Sequence, residues 1–198
     1  MTVAAKFEVY ASNFELFPND VEAFQSLSPL FKEIQRIDFV LRVNDPSMNQ
    51  GQMVSDFDNE LEKALLIHGA SHFELHLPPD IPQKFDFTFT FGGRIVAVEI
   101  EKTNREKILR DILKCHMYLH SGSDFALVGL PKNYPHTQGV WNLYEFGVQR
   151  LRECKTFGFG TADKLDRILL FGYEQFISLT NEPLSQNTRQ RMRKKATA

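Results

Sequence analysis

A chain of 198 residues, 42% hydrophobic and 24% charged with no low-complexity tract, has the makeup of one globular domain with a sizeable core. Its formal net charge of −2 gives no global sign of nucleic-acid binding, although a local basic rim can coexist with an acidic site. Two distant cysteines, Cys115 and Cys154, have neither metal-site spacing nor the look of a disulfide framework. The start lacks the basic-then-apolar run of a signal peptide, and no apolar stretch approaches the ~20 residues that cross a bilayer, so the expectation is a cytoplasmic protein without a membrane partner.

Residues 1–18 are aromatic and polar without clear periodicity. Asn19-Asp20 can cap a helix over Val21–Ile37, interrupted near Pro29. Asp38–Val43 reads as a short strand and 44–52 as a loop rich in Asn, Pro, Ser and Gly. Ser55 or Asp56 begins a second helix, with Leu61, Leu65 and Leu66 on one face and Gly69 as its stop. His72–Leu77 alternates like a strand, and residues 78–82 form a proline-rich connector. Thr103–His120 reads as a long helix with an apolar seam at Ile108, Ile112, Cys115 and Leu119, joined by Leu109 and Leu113. Lys107, Arg110 and Lys114 give it a basic face, and Cys115 is expected as a buried free thiol. Then come a strand over Asp124–Leu130 ended by Pro131, a helix over Val140–Cys154, a buried strand over Arg167–Gly172 and a short helix or turn over Gln175–Leu179. Together these predict a single α/β domain over 1–180, a mixed sheet flanked by helices on both faces, followed by a basic, mobile tail over 181–198.

Between the connector and the long helix lies the stretch richest in chemistry. Phe85, Phe87, Phe89 and Phe91 alternate with polar residues, Gly92-Gly93 suits a two-residue turn, and Arg94 to Val98 leads into Glu99-Ile100-Glu101. The turn fixes the register: Phe91 faces Arg94, Thr90 faces Ile95, Phe89 faces Val96, Thr88 faces Ala97, Phe87 faces Val98, and Asp86 lands opposite Glu99. One face then carries Phe85, Phe87, Phe89, Val96, Val98 and Ile100; the other carries Asp86, Glu99 and Glu101. Opposed Cβ atoms sit roughly 4.5–5.5 Å apart, and like charges so placed repel. A divalent cation with oxygen ligands at roughly 2.0–2.6 Å fits that spacing. Solvated acids at strand ends, with Lys84 paired to Glu101, are the plainer reading of the same residues.

The pattern of Asp86, 12 intervening residues, Glu99-Ile100-Glu101 and then a helix resembles the PD-(D/E)xK nuclease superfamily. Most of that superfamily has Lys at the last position, where this chain has Glu101; a Glu-x-Glu variant is similar to BamHI-type restriction endonucleases. The run Arg94-Ile95-Val96-Ala97-Val98-Glu99 after Asp86 looks like the BglII-type strand pair, and Asn104 matches an Asn that begins the helix and contacts DNA in the BamHI type. The following helix and the strand ending in Pro131 share the BamHI-type order, so the similarity covers about residues 80–175.

The resemblance implies a restriction endonuclease-like fold and hydrolysis of double-stranded DNA with Mg²⁺, or Mn²⁺, by a homodimer of the type II restriction kind. It implies Asp86 and Glu99 as metal ligands, and Asp86, Glu99 and Glu101 as the catalytic set, Glu101 orienting the attacking water or serving as its base. Asn104, Arg105 and Lys107 are the expected DNA-binding residues. Lys102 alternates to the opposite face, and Lys84 is the better basic candidate. Glu60 or Glu62 is a further carboxylate candidate from the preceding helix, and His116 and His120 are expected to be packed or at an interface. The loss of the motif Lys leaves open a nuclease-fold protein that binds DNA or a partner without cutting. Paired carboxylates also serve glycosidases, but the lone Trp141 offers no sugar-stacking array.

Overall fold

The computed structural model describes residues 7–44, 53–54, 56–75, 85–101, 105–136 and 138–185. Its elements are β1 (Phe7–Leu16), α1 (Val21–Ile34), β2 (Phe39–Asn44), β3 (Met53–Val54), α2 (Phe57–Ile67), β4 (Ser71–His72), β5 (Phe87–Phe91) and β6 (Arg94–Ile100). There follow α3 (Lys107–His120), β7 (Phe125–Pro131), β8 (Tyr134–His136), β9 (Gly139–Trp141), α4 (Leu143–Phe157), α5 (Ala162–Asp166) and β10 (Ile168–Ile177). Eight strands form one sheet in the order β3-β2-β1-β10-β7-β6-β5-β4, and β8 and β9 make a separate ribbon. β10, β7 and β6 run parallel, as crossovers through α3 and α4 require; the other neighbours are antiparallel. The α/β class with helices on both faces is thus as expected. Among the described residues no helix is long and apolar enough to cross a membrane.

Each face of the sheet has its own core. α1 and α2 cover one, where Phe14, Phe31, Phe57, Phe87, Phe89, Phe125 and Phe171 pack together. α3, α4 and α5 cover the other over Ala126, Val128, Leu130, Ile168 and Leu170. Strands in the parallel centre are buried on both sides, which is why β7 and the first part of β10 read as unbroken apolar runs.

Several boundaries differ from expectation. β1 hides its periodicity because its ladder to β10 shifts between Ser12 and Glu15, with Asn13 at φ 55°. Val9 and Ala11 are buried before the bulge, Phe14 and Leu16 after it, so the inward parity flips. Asp20 caps α1 as expected, its Oδ1 accepting from the Ala23 amide at 2.7 Å. Pro29 does not interrupt α1, because it lies on the exposed side where the unpartnered Gln25 carbonyl can face water. Leu66, Leu109 and Leu113 lie outside the buried seams, and Ser71–His72 is a shorter strand than 72–77. α4 starts after the Asn142 cap rather than at Val140. Residues 175–177 continue β10, where Asn133 brackets Gln175, donating to its carbonyl (2.9 Å) and accepting from its amide (2.7 Å), so no helix begins there and the expected turn comes only at 178–180. Asn181–Ser185 turn back along β10, with Leu184 buried; the rest of the expected tail lies outside the described residues, as does the loop at 45–52.

Candidate active site

Two glycines with φ of 57° and 76° make the tight bend between β5 and β6. The register is the expected one, from Phe91 opposite Arg94 to Phe87 opposite Val98. The ladder ends one residue before Asp86. The Asp86 amide still donates to the Val98 carbonyl at 3.1 Å, and its Oδ2 accepts from the Ile100 amide at 2.6 Å. The side chain thereby takes the place of the next ladder bond and fixes the carboxylate at the level of Ile100, between Glu99 and Glu101. Phe85 corrects one expectation: with the strand ended, it does not join Phe87 in the core but meets the Tyr118 ring edge-on, centroids 4.9 Å apart.

Glu99 and Glu101 are both buried, at 5% and 6% exposure, on the side of the sheet that α3 covers. Ile100 between them points into the opposite core, as a strand's alternation demands. Glu99 Oε1 accepts from Lys114 Nζ at 2.6 Å and from the Tyr118 hydroxyl at 2.8 Å. Burial pushes the Glu99 carboxyl up to about 7; the bonds from Lys114 and Tyr118 oppose this, and Asp86 adds to it. Burial and the neighbouring Glu99 also raise the Tyr118 phenol, which stays protonated and can only donate here. Asp111, 3% exposed, takes the Arg110 guanidinium on Oδ1 at 3.1 and 3.3 Å. Its carboxyl is raised by burial, with Arg110 opposing and Glu101 adding to the rise.

These groups line one cavity of about 310 Å³, walled by Asp86, Glu99, Ile100 and Glu101 from the hairpin and by Lys107, Arg110, Asp111 and Lys114 from α3. Neither a protein-family model, nor a curated protein, nor a solved structure matches this chain. The cavity's own chemistry therefore carries the functional argument.

Of the expected site residues, Asp86, Glu99, Glu101 and Lys107 come together in this cavity. Arg105 does not line it; it lies in a turn ahead of α3 and opens onto a neighbouring groove. The helix starts at Lys107 rather than Thr103, and Asn104, Lys102 and Lys84 lie outside the described residues. Glu60 and Glu62 are on α2 and do not line the cavity; Glu62 instead contacts His72 Nδ1 at 3.2 Å. His116 is packed as expected, its Nε2 accepting from the Thr161 amide at 3.0 Å. Cys115 is a buried free thiol.

Asp111, Lys114 and Tyr118 were not expected in the site. Their signal is a polar stripe at 107, 111, 114 and 118, one residue behind the apolar stripe at 108, 112, 115 and 119. A stripe at helical spacing beside a buried seam must lie close to the sheet, and here the sheet presents Glu99.

Among the described residues, no three acidic, His or Cys side chains form a ready-made metal shell. Mg²⁺ does not need one, since it commonly takes one or two carboxylates and completes its shell with waters and substrate phosphate. Glu99 has a second oxygen beyond the one that Lys114 and Tyr118 engage, and an all-oxygen carboxylate set suits a hard cation. The residues present therefore fit a hard divalent ion, to which Asp86 and Glu99 could offer oxygens.

Proposed function

We propose that this chain is a metal-dependent endonuclease that hydrolyses phosphodiester bonds in duplex DNA, of the type II site-specific restriction kind, working as a homodimer. One observation carries the reading most: the Asp86 carboxylate is fixed beside Ile100, between two buried glutamates, while Lys114 reaches the same cavity from α3. The succession of an acidic strand end, a turn, a Glu-x-Glu strand, a helix and a parallel strand also supports the reading, because it resembles the order expected of a restriction endonuclease-like core.

In this reading Asp86 and Glu99 hold the cation, which when bound polarises a phosphoryl oxygen and acidifies a water. Glu101, two residues on and buried on the same wall, orients the attacking water and receives its proton. Lys114 brings a lysine ammonium into the cavity from α3, in a sequence whose strand has Glu101 at the motif's lysine position. It opposes the burial that raises the Glu99 carboxyl to about 7 and offers its ammonium to charge developing on the phosphate. Lys107 and Arg110 on the rim neutralise DNA phosphates, and two copies related by a two-fold axis suit a palindromic site.

A second reading is supported by the bonding of Glu99 itself. A carboxylate already satisfied by Lys114 and Tyr118 can be a purely structural pair in a protein that binds DNA without cutting it. Incubation with plasmid and phage DNA, with Mg²⁺ and with EDTA, separates the two. Discrete fragments that need the cation, and that fall at least about a hundredfold in Asp86→Ala and Glu99→Ala, support the endonuclease. DNA that stays intact under Mg²⁺ and Mn²⁺ while its band is retarded on a gel supports binding alone. Light scattering of the protein at micromolar concentration tests the homodimer; a monomer counts against it.

A further inference from the structure

On the other side of the start of α3 lies a wider groove of about 520 Å³. Arg105 enters it from the turn before α3, Trp141 from the end of β9, and Asn142, Phe146 and Arg152 from α4. Trp141 rests on the His136 imidazole, ring centroids 3.5 Å apart and planes 20° from parallel, so the β8–β9 ribbon backs one face of the indole. The Arg105 guanidinium lies 4.0 Å from the Phe146 ring centre but 5.9 Å from that of Trp141, so the indole contact is the looser. Among the described residues, neither Arg105 nor Arg152 forms an ion pair with a carboxylate, and both are exposed. Glu145 also lines the groove, its carboxylate 3.4 Å from the Asn142 amide nitrogen.

A backed aromatic face flanked by two guanidinium groups that pair with no carboxylate, Arg105 over Phe146 and Arg152 over Phe17 at 5.8 Å, suits a ligand that is flat at one end and anionic at the other. A nucleotide has that form: bases stack on aromatic side chains whatever their identity, and Arg binds the phosphates on either side. The groove and the acidic cavity each take a residue from the approach to α3: Arg105 lines one and Lys107, two residues on, lines the other. A base inside an intact duplex has both faces covered, so only an unpaired one can use this surface.

We infer that the groove holds an unpaired nucleotide of the DNA strand whose phosphate occupies the acidic cavity, its base stacked on Trp141 and its phosphates held by Arg105 and Arg152. This rests on the endonuclease reading and adds to it that, in the duplex being cut, one nucleotide near the cut leaves the stack and enters the groove.

Trp141 is the only tryptophan in the chain, so its emission reports on the groove directly. The full chain is titrated in EDTA, where nothing is cut, with a short oligothymidylate and with a blunt duplex of equal length; a labelled copy of each gives affinity by anisotropy. The expected result is saturable quenching by oligothymidylate and little by duplex. Trp141→Ala weakens the oligothymidylate about tenfold and leaves the duplex unchanged. Arg152→Ala lowers the salt slope by about one. Trp141→Phe keeps a ring against His136 and regains part of the loss, which separates stacking from damage to the fold. An indole unquenched at saturation, equal quenching by blunt duplex, or an unaltered affinity in Trp141→Ala overturns the inference. Because no cation is present, cutting in the Mg²⁺ assay without quenching sinks only this inference, while quenching without cutting leaves the stacking surface standing and sinks the endonuclease reading together with the placement of the phosphate in the acidic cavity.

Discussion

Glu99 is stabilised as a charge by two donors on one helix, and losing either has a different consequence. Lys114→Met leaves a buried carboxylate without its cation and is expected to destabilise the protein by roughly 3–5 kcal/mol in urea unfolding. Adding Glu99→Gln removes the orphaned charge and recovers most of that loss; a double variant no more stable than the single one contradicts the pairing. Tyr118→Phe removes a hydrogen bond to a charged group, about 1.5–3 kcal/mol, and leaves the salt bridge in place. The two ends of this interaction were unequally legible in the sequence. Glu99 could be placed because a strand's period and a two-glycine turn fix which residues face each other, with no knowledge of the rest of the fold. Lys114 and Tyr118 could not, because what a helix face meets depends on how the helix docks across the sheet, and no local pattern encodes that. The close approach at Gly129 was equally hidden: a Cβ there would stand 2.3 Å from the Phe171 ring. Gly129→Ala is therefore expected to cost about 1–3 kcal/mol through displacement of that ring.

Among the elements, the β5–β6 hairpin is the one the site depends on most. Both turn glycines have positive φ, with open space where a Cβ would be, so strain and not crowding decides substitutions there. Gly92→Asn, which suits such a turn, should leave the melting temperature nearly unchanged, while Gly93→Val should lose about 1–2 kcal/mol. A hairpin that tolerated both equally would not have this turn. The start of α5 carries a pH dependence of its own. The Thr161 amide donates to His116 Nε2, so the imidazole must be neutral to accept. Its pKa is held below the ordinary value by burial, then by the nearby His120 and by Lys164, with Asp163 opposing. A folded value below the unfolded one gives a contribution that is complete above about pH 6.5 and lost as pH falls through the lowered value. Unfolding followed between about pH 7 and pH 5 should show that loss in the parent protein and a flatter profile in His116→Asn. The bulged β1 and the proline-bearing α1 were the elements least legible in sequence. In both, a backbone irregularity set by tertiary partners overrides the simple period, Asn13 in one and an exposed Pro29 in the other.

At the scale of the molecule, a cation that binds only the folded cavity must raise thermal stability by mass action. At a hundredfold excess over its dissociation constant the gain is about 2.7 kcal/mol, which for a chain of this size is a shift of roughly 5–10 °C. Melting curves with Mg²⁺ and with EDTA should show it, and Glu99→Ala should abolish it; an identical shift in that variant would mean the ion binds elsewhere. The sheet that carries the cavity is closed by distant parts of the chain. β1 sits between β2 and β10, with Val9 opposite Ile177. During synthesis β1 therefore waits for β10, which lies far downstream in the chain. Until residues 168–177 emerge, one side of β1 offers bare amides and carbonyls to any passing strand. Vectorial synthesis thus gives this protein a long window of exposure to chaperones and to mispairing, and the arrival of β10 is what ends it.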